Sequence, residues 1–202
     1  MEGYLRTYVK VDLNAIEHNI NEVRKLIDNN VKVMAVIKAD GYGHGAAVIG
    51  NFLKAKVDYF GVATIEEAIE LRKNNIDIPI LILGYTSYKQ YEDLIKYDIT
   101  QTVYNLEMVE KLEECAARFN HIAKIHLALE TGMNRIGFEP NERSIENIKK
   151  IMKMDNIFVE GMFTHFSCAD ERDKSYAKIQ MKKYDEFIGK LENNNINIPI
   201  KH

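Results

Sequence analysis

The chain has 202 residues, enough for a buried core and, at ~150 residues per domain, for one or two domains. Its 46% hydrophobic and 28% charged residues match the ordinary globular mix, which excludes a disordered, collagen-like or coiled-coil protein. The net charge of −3 provides no strong basic field for binding nucleic acid.

Targeting signals and disulfides are not expected either. No apolar run approaches the ~18–20 residues of a membrane-spanning helix, and residues 1–13 lack the apolar stretch of a signal peptide. The two cysteines, Cys115 and Cys168, have no Cys-x-x-Cys spacing. We expect both to be free thiols without a function, in a protein of the reducing cytoplasm. We expect this protein to bind neither membranes nor nucleic acids.

In chain order, a predicted strand at Val9–Leu13 is followed by a predicted helix at Ala15–Ile27 with Asn14 as its N-cap. Seven short apolar, β-branched runs then predict the strands Val31–Ile37, Tyr59–Ala63, Ile78–Leu83, Thr100–Val103, Ala123–Leu129, Ile157–Phe163 and Ile196–Lys201. Segments with helical patterning lie between them, including Ile65–Lys73, Leu106–Phe119 and Ser175–Leu191. Asn105 is in place to cap the second of these helices.

Strands that alternate with helices indicate parallel pairing through right-handed crossovers. An open sheet and a (β/α)8 barrel both fit this pattern. A complete barrel has eight strands and typically ~250 residues, whereas this chain stops in or just after its seventh predicted strand. We therefore predict an α/β fold, a TIM-type (β/α)8 barrel truncated after about the seventh strand, with a complete seven-stranded open sheet as the alternative.

The segment VIKADGYGHG at Val36–Gly45 is the most informative part of the sequence. Lys38 lies at the C-terminal end of a predicted strand, the end that carries the active site in a barrel. Desolvation there lowers the pKa of a lysine and makes it a nucleophile for a carbonyl group, although most lysines at strand ends are solvated. The three glycines permit a tight turn close to a ligand, but their spacing matches neither a Walker loop nor a dinucleotide fingerprint.

Three further side chains are candidates by position. Arg135 follows a strand, and its planar donor fork suits carboxylate or phenolate oxygens; the alternative is a surface arginine. His165 follows a strand within Phe-Thr-His-Phe, where packing in a core is the commoner role. His44 would start a helix as a surface cap. The spacing of His165 and Cys168 lacks the second pair of ligands that a metal site needs, so no metal is predicted.

Four segments together resemble the alanine racemase family. They are Val11–Asn19, Val36–Gly45, Glu130–Gly137 and Gly161–Phe166. The resemblance extends along nearly the whole chain, and several motifs at matching spacing are far more specific than one.

This resemblance implies a fold-type III enzyme that depends on pyridoxal 5′-phosphate (PLP). In the family, a barrel is followed by a β-rich domain and the enzyme works as a head-to-tail homodimer. The implied reaction on a small amino-acid substrate is the racemisation of L-alanine to D-alanine for peptidoglycan synthesis. Residues 1–202 would then be the N-terminal barrel domain, incomplete, with the C-terminal β domain absent.

The resemblance also implies a role for each matching residue. Lys38 would bind PLP covalently and act as the catalytic base that exchanges the α-proton on the D-face of the substrate. Tyr42 would contact the cofactor phosphate. Arg135 would lie near the phenolic oxygen of PLP and orient the substrate carboxylate. His165 would pack beside the cofactor ring, and His202 would support an arginine that faces the pyridine nitrogen.

The chain departs from the family pattern at Ala128, where many members carry a lysine, often carbamylated, that orients the active-site arginine. We expect a bound anion such as chloride, or a nearby carboxylate, to take that role beside Arg135. The family's second base is a tyrosine from the C-terminal domain of the partner subunit, so we expect the 202-residue chain alone not to racemise.

Three alternatives remain open at this point. One is a serine-preferring or broad-specificity amino-acid racemase of the same family. Another is a non-catalytic PLP-binding barrel that serves cofactor homeostasis, although such proteins lack the Thr-Gly-Met-x-Arg context around Arg135. The last is a truncated barrel that acts only as a structural or interaction piece.

Overall fold

The computed structural model of the chain describes residues 7–202 and contains one parallel seven-stranded sheet. The strands are β1 (Met34–Val36), β2 (Tyr59–Val62), β3 (Ile80–Ile82), β4 (Thr100–Val103), β5 (Ala123–Leu129), β6 (Ile157–Thr164) and β7 (Ile200–Lys201). Each strand pairs with its sequence neighbours from β1 to β7, without the reversal of order that defines a doubly wound sheet.

The sheet curls as an incomplete barrel, which confirms the truncated barrel and rules out the open sheet. The rings of Tyr59 on β2 and His126 on β5 have centroids 6.2 Å apart. In a flat sheet, strands three positions apart would be separated by about 14 Å, since neighbouring strands lie ~4.8 Å apart. The two side chains therefore meet across the interior of a curved wall.

Helices cover the outer face of the sheet. They are α1 (Leu13–Lys25), α3 (Ala46–Leu53), α4 (Ile65–Lys73), the 3-10 helix η1 (Tyr88–Gln90), α5 (Tyr91–Lys96), α6 (Leu106–Arg118), α7 (Glu142–Ile151) and α8 (Ser175–Asn193). The short helical turn α2 (Lys38–Gly43) joins β1 to α3. The predicted cap of α6 is confirmed, because Asn105 Oδ1 accepts a hydrogen bond of 2.9 Å from the amide of Met108. The main core lies between these helices and the sheet.

The strand predicted at Val9–Leu13 is wrong. Residues 8–12 are not in a strand, and α1 already begins at Leu13. Asp12 caps this helix by accepting from the amides of Asn14 and Ala15, so the predicted cap Asn14 is wrong as well. Val9 is 79% exposed, which shows that apolar residues in this segment find no neighbouring strand to pair with.

The two outermost strands of the described sheet are shorter than predicted. The ladder of β1 covers only Met34–Val36, and that of β7 only Ile200–Lys201. Ile196 and Ile198, predicted in β7, are buried in the core as loop residues. Apolar runs report burial, whereas a strand assignment also needs a hydrogen-bonded neighbour, and β1 and β7 have one on a single side only. The inner strand β3 is also shorter than predicted, at Ile80–Ile82 in place of Ile78–Leu83, although it has a neighbour on each side.

Cys115 is buried, Cys168 is half-buried, and both are free thiols. Within residues 7–202, no helix combines the length and the apolar character needed to cross a membrane. No group of three or more His, Cys, Asp or Glu side chains in that range is arranged to hold a metal ion.

Candidate functional site

A cavity of about 360 Å³ opens at the carboxyl ends of the strands. The segments that leave the first six strands all contribute to its wall, through Lys38, Ala63, Gly84, Tyr104, Glu130 and His165. Ala128 and Phe163 line it from within β5 and β6. In barrel enzymes this end of the strands carries the chemistry, because the loops there vary while the barrel stays rigid.

Lys38 enters the cavity from a left-handed helical turn. It is half-buried and follows the buried Ile37 at the end of β1. The next four residues, 39–42, all have φ between +51° and +63°, a conformation that costs a residue with a Cβ atom roughly 1–2 kcal/mol. Backbone strain of this kind persists where the surroundings enforce it, typically at functional sites.

Two carboxylates hold this turn in place. Asp40 Oδ1 accepts from the amide of Ala46, at 2.7 Å, and fixes the turn to the start of α3. Glu67 bridges two strand ends, since Oε1 accepts from Ala39 N and Oε2 from Ala63 N, each at 2.7 Å. Sequence reasoning missed Glu67, although Thr64-Ile-Glu-Glu67 matches a capping box, whose glutamate commonly reaches back to a backbone amide.

Arg135 lies in the loop that follows β5, and Glu130 shapes that loop. The Glu130 carboxylate accepts from the backbone amides of Gly132 and Arg135. Burial opposes the ionisation of Glu130, but these amides and their neighbours at Asn134 and Met133 outweigh it and hold its pKa below the usual range. The Arg135 side chain lines the cavity together with Lys38.

His165 lines the same cavity, just after β6. Partial desolvation is the main cause that lowers the pKa of its imidazole, and the positive charges of Arg135 and Lys38 lower it further. The ring is therefore neutral at physiological pH, beside two cations. The structure thus brings Lys38, Arg135 and His165 into one cavity, whose charge suits a small ligand with anionic groups.

Tyr42 and His202 do not line this cavity. Tyr42 is 59% exposed on the left-handed turn. His202 is an exposed residue as a whole, but its ring stacks on Phe163, with the centroids 4.9 Å apart. Desolvation is the main cause that lowers the pKa of His202 to about 4, and the charge of His126 is the second.

The His202 ring belongs to a hydrogen-bonded chain inside the barrel. His126 Nδ1 lies 2.8 Å from His202 Nε2, and His126 Nε2 lies 3.3 Å from Glu160 Oε2. An ionised carboxylate only accepts, so His126 Nε2 carries a proton, and when the ring is neutral its Nδ1 accepts from His202 Nε2. His202 Nδ1 then remains as an acceptor.

A β-bulge creates the space for this chain. Ile125 pairs with Val159, whereas His126 pairs with Gly161, so Glu160 is the extra residue of β6 and its carboxylate turns inward. Gly161 leaves the space that the buried ring of His126 occupies. Burial raises the pKa of Glu160, but hydrogen bonds from His126 and Tyr59 outweigh it and keep the carboxyl ionised.

Ala128 is 2% exposed and lies at the cavity wall. Among residues 7–202, no carboxylate lies within the 4.0 Å ion-pair distance of the Arg135 guanidinium. Glu130 is close in the chain, but its carboxylate is engaged by backbone amides. Glu130 is therefore not the nearby carboxylate that was expected to orient Arg135.

Comparison with known proteins identifies the fold and the family. The family model described as "Alanine racemase, N-terminal domain" matches residues 11–202. The chain belongs to the alanine racemase family. Members of this family are PLP-dependent.

The chain is 44% identical over 202 residues to alanine racemase 1 of Caldanaerobacter subterraneus subsp. tengcongensis, covering all of this chain and 52% of that protein. It matches the alanine racemase of Clostridium difficile 630 in complex with cycloserine with a TM-score of 0.92 at 45% identity, over 94% of this chain and 52% of the other. A histidine racemase from Leuconostoc mesenteroides subsp. sake matches with a TM-score of 0.85 at 26% identity, over 94% and 50% of the two chains. The chain thus spans about half the length of these relatives.

Proposed function

We propose that the protein of which this chain forms a part racemises alanine with PLP as its cofactor, supplying D-alanine for peptidoglycan. The observation that carries the proposal is the meeting of Lys38, Arg135 and His165 in one cavity at the mouth of an alanine racemase barrel. A primary amine, a guanidinium and a neutral imidazole are the groups needed to bind a carbonyl, a carboxylate and an aromatic ring.

The residues present fit PLP. The cavity of about 360 Å³ lies within the size range of cofactor sites, and the half-buried Lys38 lines it. Bound there, PLP supplies an electron sink for the charge left at the substrate α-carbon. Lys38 would hold the cofactor covalently and His165 would pack beside its ring. Tyr42 lies outside the cavity on the exposed turn, so it would contact the phosphate where that group extends beyond the cavity.

The protein's own groups would orient the substrate and move the proton. Arg135 would bind the substrate carboxylate, and Lys38 would exchange the α-proton on one face. The chain from Glu160 through His126 leaves His202 Nδ1 as an acceptor, which suits an N–H donor such as the guanidinium of an arginine near the pyridine nitrogen.

Racemisation also needs a base on the opposite face of the substrate. We propose that it is a tyrosine of a C-terminal β domain, contributed by the partner subunit of a homodimer. Accordingly, the isolated 202-residue chain should not racemise alanine, and measurable racemase activity of that purified chain would refute this part of the proposal.

The gap beside Ala128 leads to a separate expectation. A bound chloride or comparable anion would neutralise Arg135 in place of the usual modified lysine, since Glu130 is engaged elsewhere. Anomalous diffraction from crystals of the full-length protein grown in bromide would locate such an ion. A structure with neither an ion nor a carboxylate beside Arg135 would contradict the expectation.

Another amino acid is the main alternative substrate, because the histidine racemase shows that a related barrel is compatible with a different side chain. The kcat/KM values of the full-length protein for alanine, serine and histidine would decide between them. A protein that binds PLP but racemises none of the three would support the non-catalytic alternative.

The direct test is covalent trapping. The full-length protein is mixed with PLP, reduced with borohydride and mapped by peptide mass. We expect the label on Lys38, its loss in Lys38→Ala, and its retention in Lys153→Ala, which removes an exposed lysine remote from the cavity. A label on any other lysine in the wild-type protein would refute the assignment.

A further inference from the structure

Helix α8 contacts the mouth of the barrel through a stripe of polar side chains. Tyr176, Gln180 and Tyr184 are spaced by four residues and therefore lie on one face of the helix. Tyr176 donates to the carbonyl of Gly132 at 2.9 Å, and Tyr184 donates to that of Met162 at 2.6 Å. The helix is thus hydrogen-bonded to the loop after β5 and to β6.

Gln180 is the centre of this stripe and is fully buried, with 0% exposure. Its Nε2 donates to the carbonyl of His165 at 3.0 Å and to Thr131 Oγ1 at 3.3 Å. Its Oε1 accepts from the amide and the hydroxyl of Ser167, at 3.0 and 3.1 Å. Both donors and both acceptor positions of the amide are therefore used, which a buried amide needs to avoid a desolvation penalty.

The partners fix the orientation of this amide. The Ser167 N–H can only donate, so the oxygen of Gln180 faces it and the nitrogen faces the opposite side. There a directed chain follows: Gln180 Nε2 donates to Thr131 Oγ1, which donates to Thr164 Oγ1, which donates to the carbonyl of Leu129. One side chain thus joins the loop after β5 to the segment after β6.

These two segments carry Arg135 and His165, which line the same cavity. Arg135 lies four residues beyond Thr131 in the loop after β5, and His165 itself provides the carbonyl that Gln180 binds. A Cβ atom at Gly132 would lie 2.6 Å from the Tyr176 hydroxyl, so a side chain there would have to displace the tyrosine. The loop after β5 is therefore seated closely on α8 at its start.

We propose that Gln180 is a positioning residue that sets the separation of Arg135 and His165. Through this separation it sets the affinity of the cavity for an anionic ligand. Gln180 lines no part of the cavity and acts only through the two segments. Its effect on turnover rests on the proposed function, whereas its effect on the two segments does not.

The test compares Gln180→Met and Gln180→Glu in the full-length protein. Methionine keeps the approximate shape of the side chain and loses every hydrogen bond. Glutamate keeps the acceptor for Ser167 but places a second acceptor against the His165 carbonyl. Lys178→Met is the matched control, because it introduces the same methionine at an exposed position of α8.

Amide hydrogen exchange is the primary readout. We expect Gln180→Met to speed exchange in peptides covering residues 130–137 and 164–168 by at least about tenfold, with β1–β4 unchanged. In Gln180→Glu, protection at Ser167 should persist while residues 130–137 loosen. Lys178→Met should match the wild type throughout.

Kinetics provide the second readout. For alanine, Gln180→Met should lower kcat/KM by roughly tenfold to a hundredfold, mainly through a higher KM, because Arg135 no longer meets the carboxylate in the right position. The proposal would be overturned if Gln180→Met exchanged no faster in the two segments than Lys178→Met does. It would also be overturned if exchange in Gln180→Met rose evenly across the whole barrel. If the wild-type protein racemises nothing, the proposed function fails, while the exchange experiment still decides the role of Gln180.

Discussion

Replacing Gly161 by alanine tests the space that the barrel leaves for His126. A Cβ atom at residue 161 would lie 2.5 Å from both Cε1 and Nδ1 of the His126 ring and 2.8 Å from its Nε2. Carbon atoms in contact normally lie ~3.5–4.0 Å apart, so the ring has to move by about 1 Å. The ring is 1% exposed and held between Glu160 and His202, which leaves no open space on the solvent side.

The expected cost follows from this geometry. Overpacking a core by one methyl group costs about 1–3 kcal/mol. A 1 Å shift also lengthens the two hydrogen bonds of the ring, each worth roughly 1 kcal/mol. Alanine regains up to about 1 kcal/mol because it restricts the unfolded backbone more than glycine does. We therefore expect Gly161→Ala to lower the free energy of unfolding by about 2–4 kcal/mol.

Urea denaturation followed by circular dichroism measures this change. Gly189→Ala is the matched control: it lies within α8 and has no atom within 4 Å of the added Cβ, so it should stabilise by about 0.5–1 kcal/mol. In a His126→Ala background the clash is gone, and Gly161→Ala should cost less than about 1 kcal/mol. An equal cost in both backgrounds would refute the reasoning.

Three further predictions rest on single contacts. Asn105→Ala removes the cap of α6 and should cost about 1 kcal/mol in urea denaturation, whereas Asn105→Asp should cost far less. Glu67→Gln replaces one acceptor by a donor that faces the amide of Ala39 or Ala63, so trapping of PLP on Lys38 should slow; an unchanged rate would contradict the role given to the bridge. Because the pKa of His202 falls from 6.5 to about 4 on folding, the unfolded chain binds more protons between these values. The stability that this histidine contributes is therefore present above pH 6.5 and lost as the pH falls toward 4, and His202→Gln should flatten the pH dependence of the urea midpoint in that window.

The sequence predicted β4 and β5 better than the margins of the sheet. The bounds of these two strands are as predicted, and each has a neighbour on both sides, although the inner strand β3 is shorter than predicted. At Val9–Leu13 and Val31–Ile37, similar runs end as coil or as a three-residue strand. Hydrophobic pattern is local, whereas pairing depends on segments far away in the chain.

The site shows the same division. Lys38, Arg135 and His165 follow strands, so their meeting at one end of the barrel could be predicted once the strands were recognised. Gln180 and Glu67 could not be found in this way, since each binds backbone groups of segments 13–28 residues away. The capping box signals that Glu67 binds a nearby backbone amide, but neither this carboxylate nor the buried amide of Gln180 gives a local signal of the distant segment that it will bind.

The sequence by itself determined the strand–helix alternation, the family and the residues at the strand ends, because each of these depends on spacing and residue type along the chain. Only the tertiary structure decided that residues 39–42 turn left-handed, that a bulge turns Glu160 inward beneath His126, and that α8 joins the two sides of the cavity. These features depend on hydrogen bonds and on free space between segments that come together only when the sheet curls.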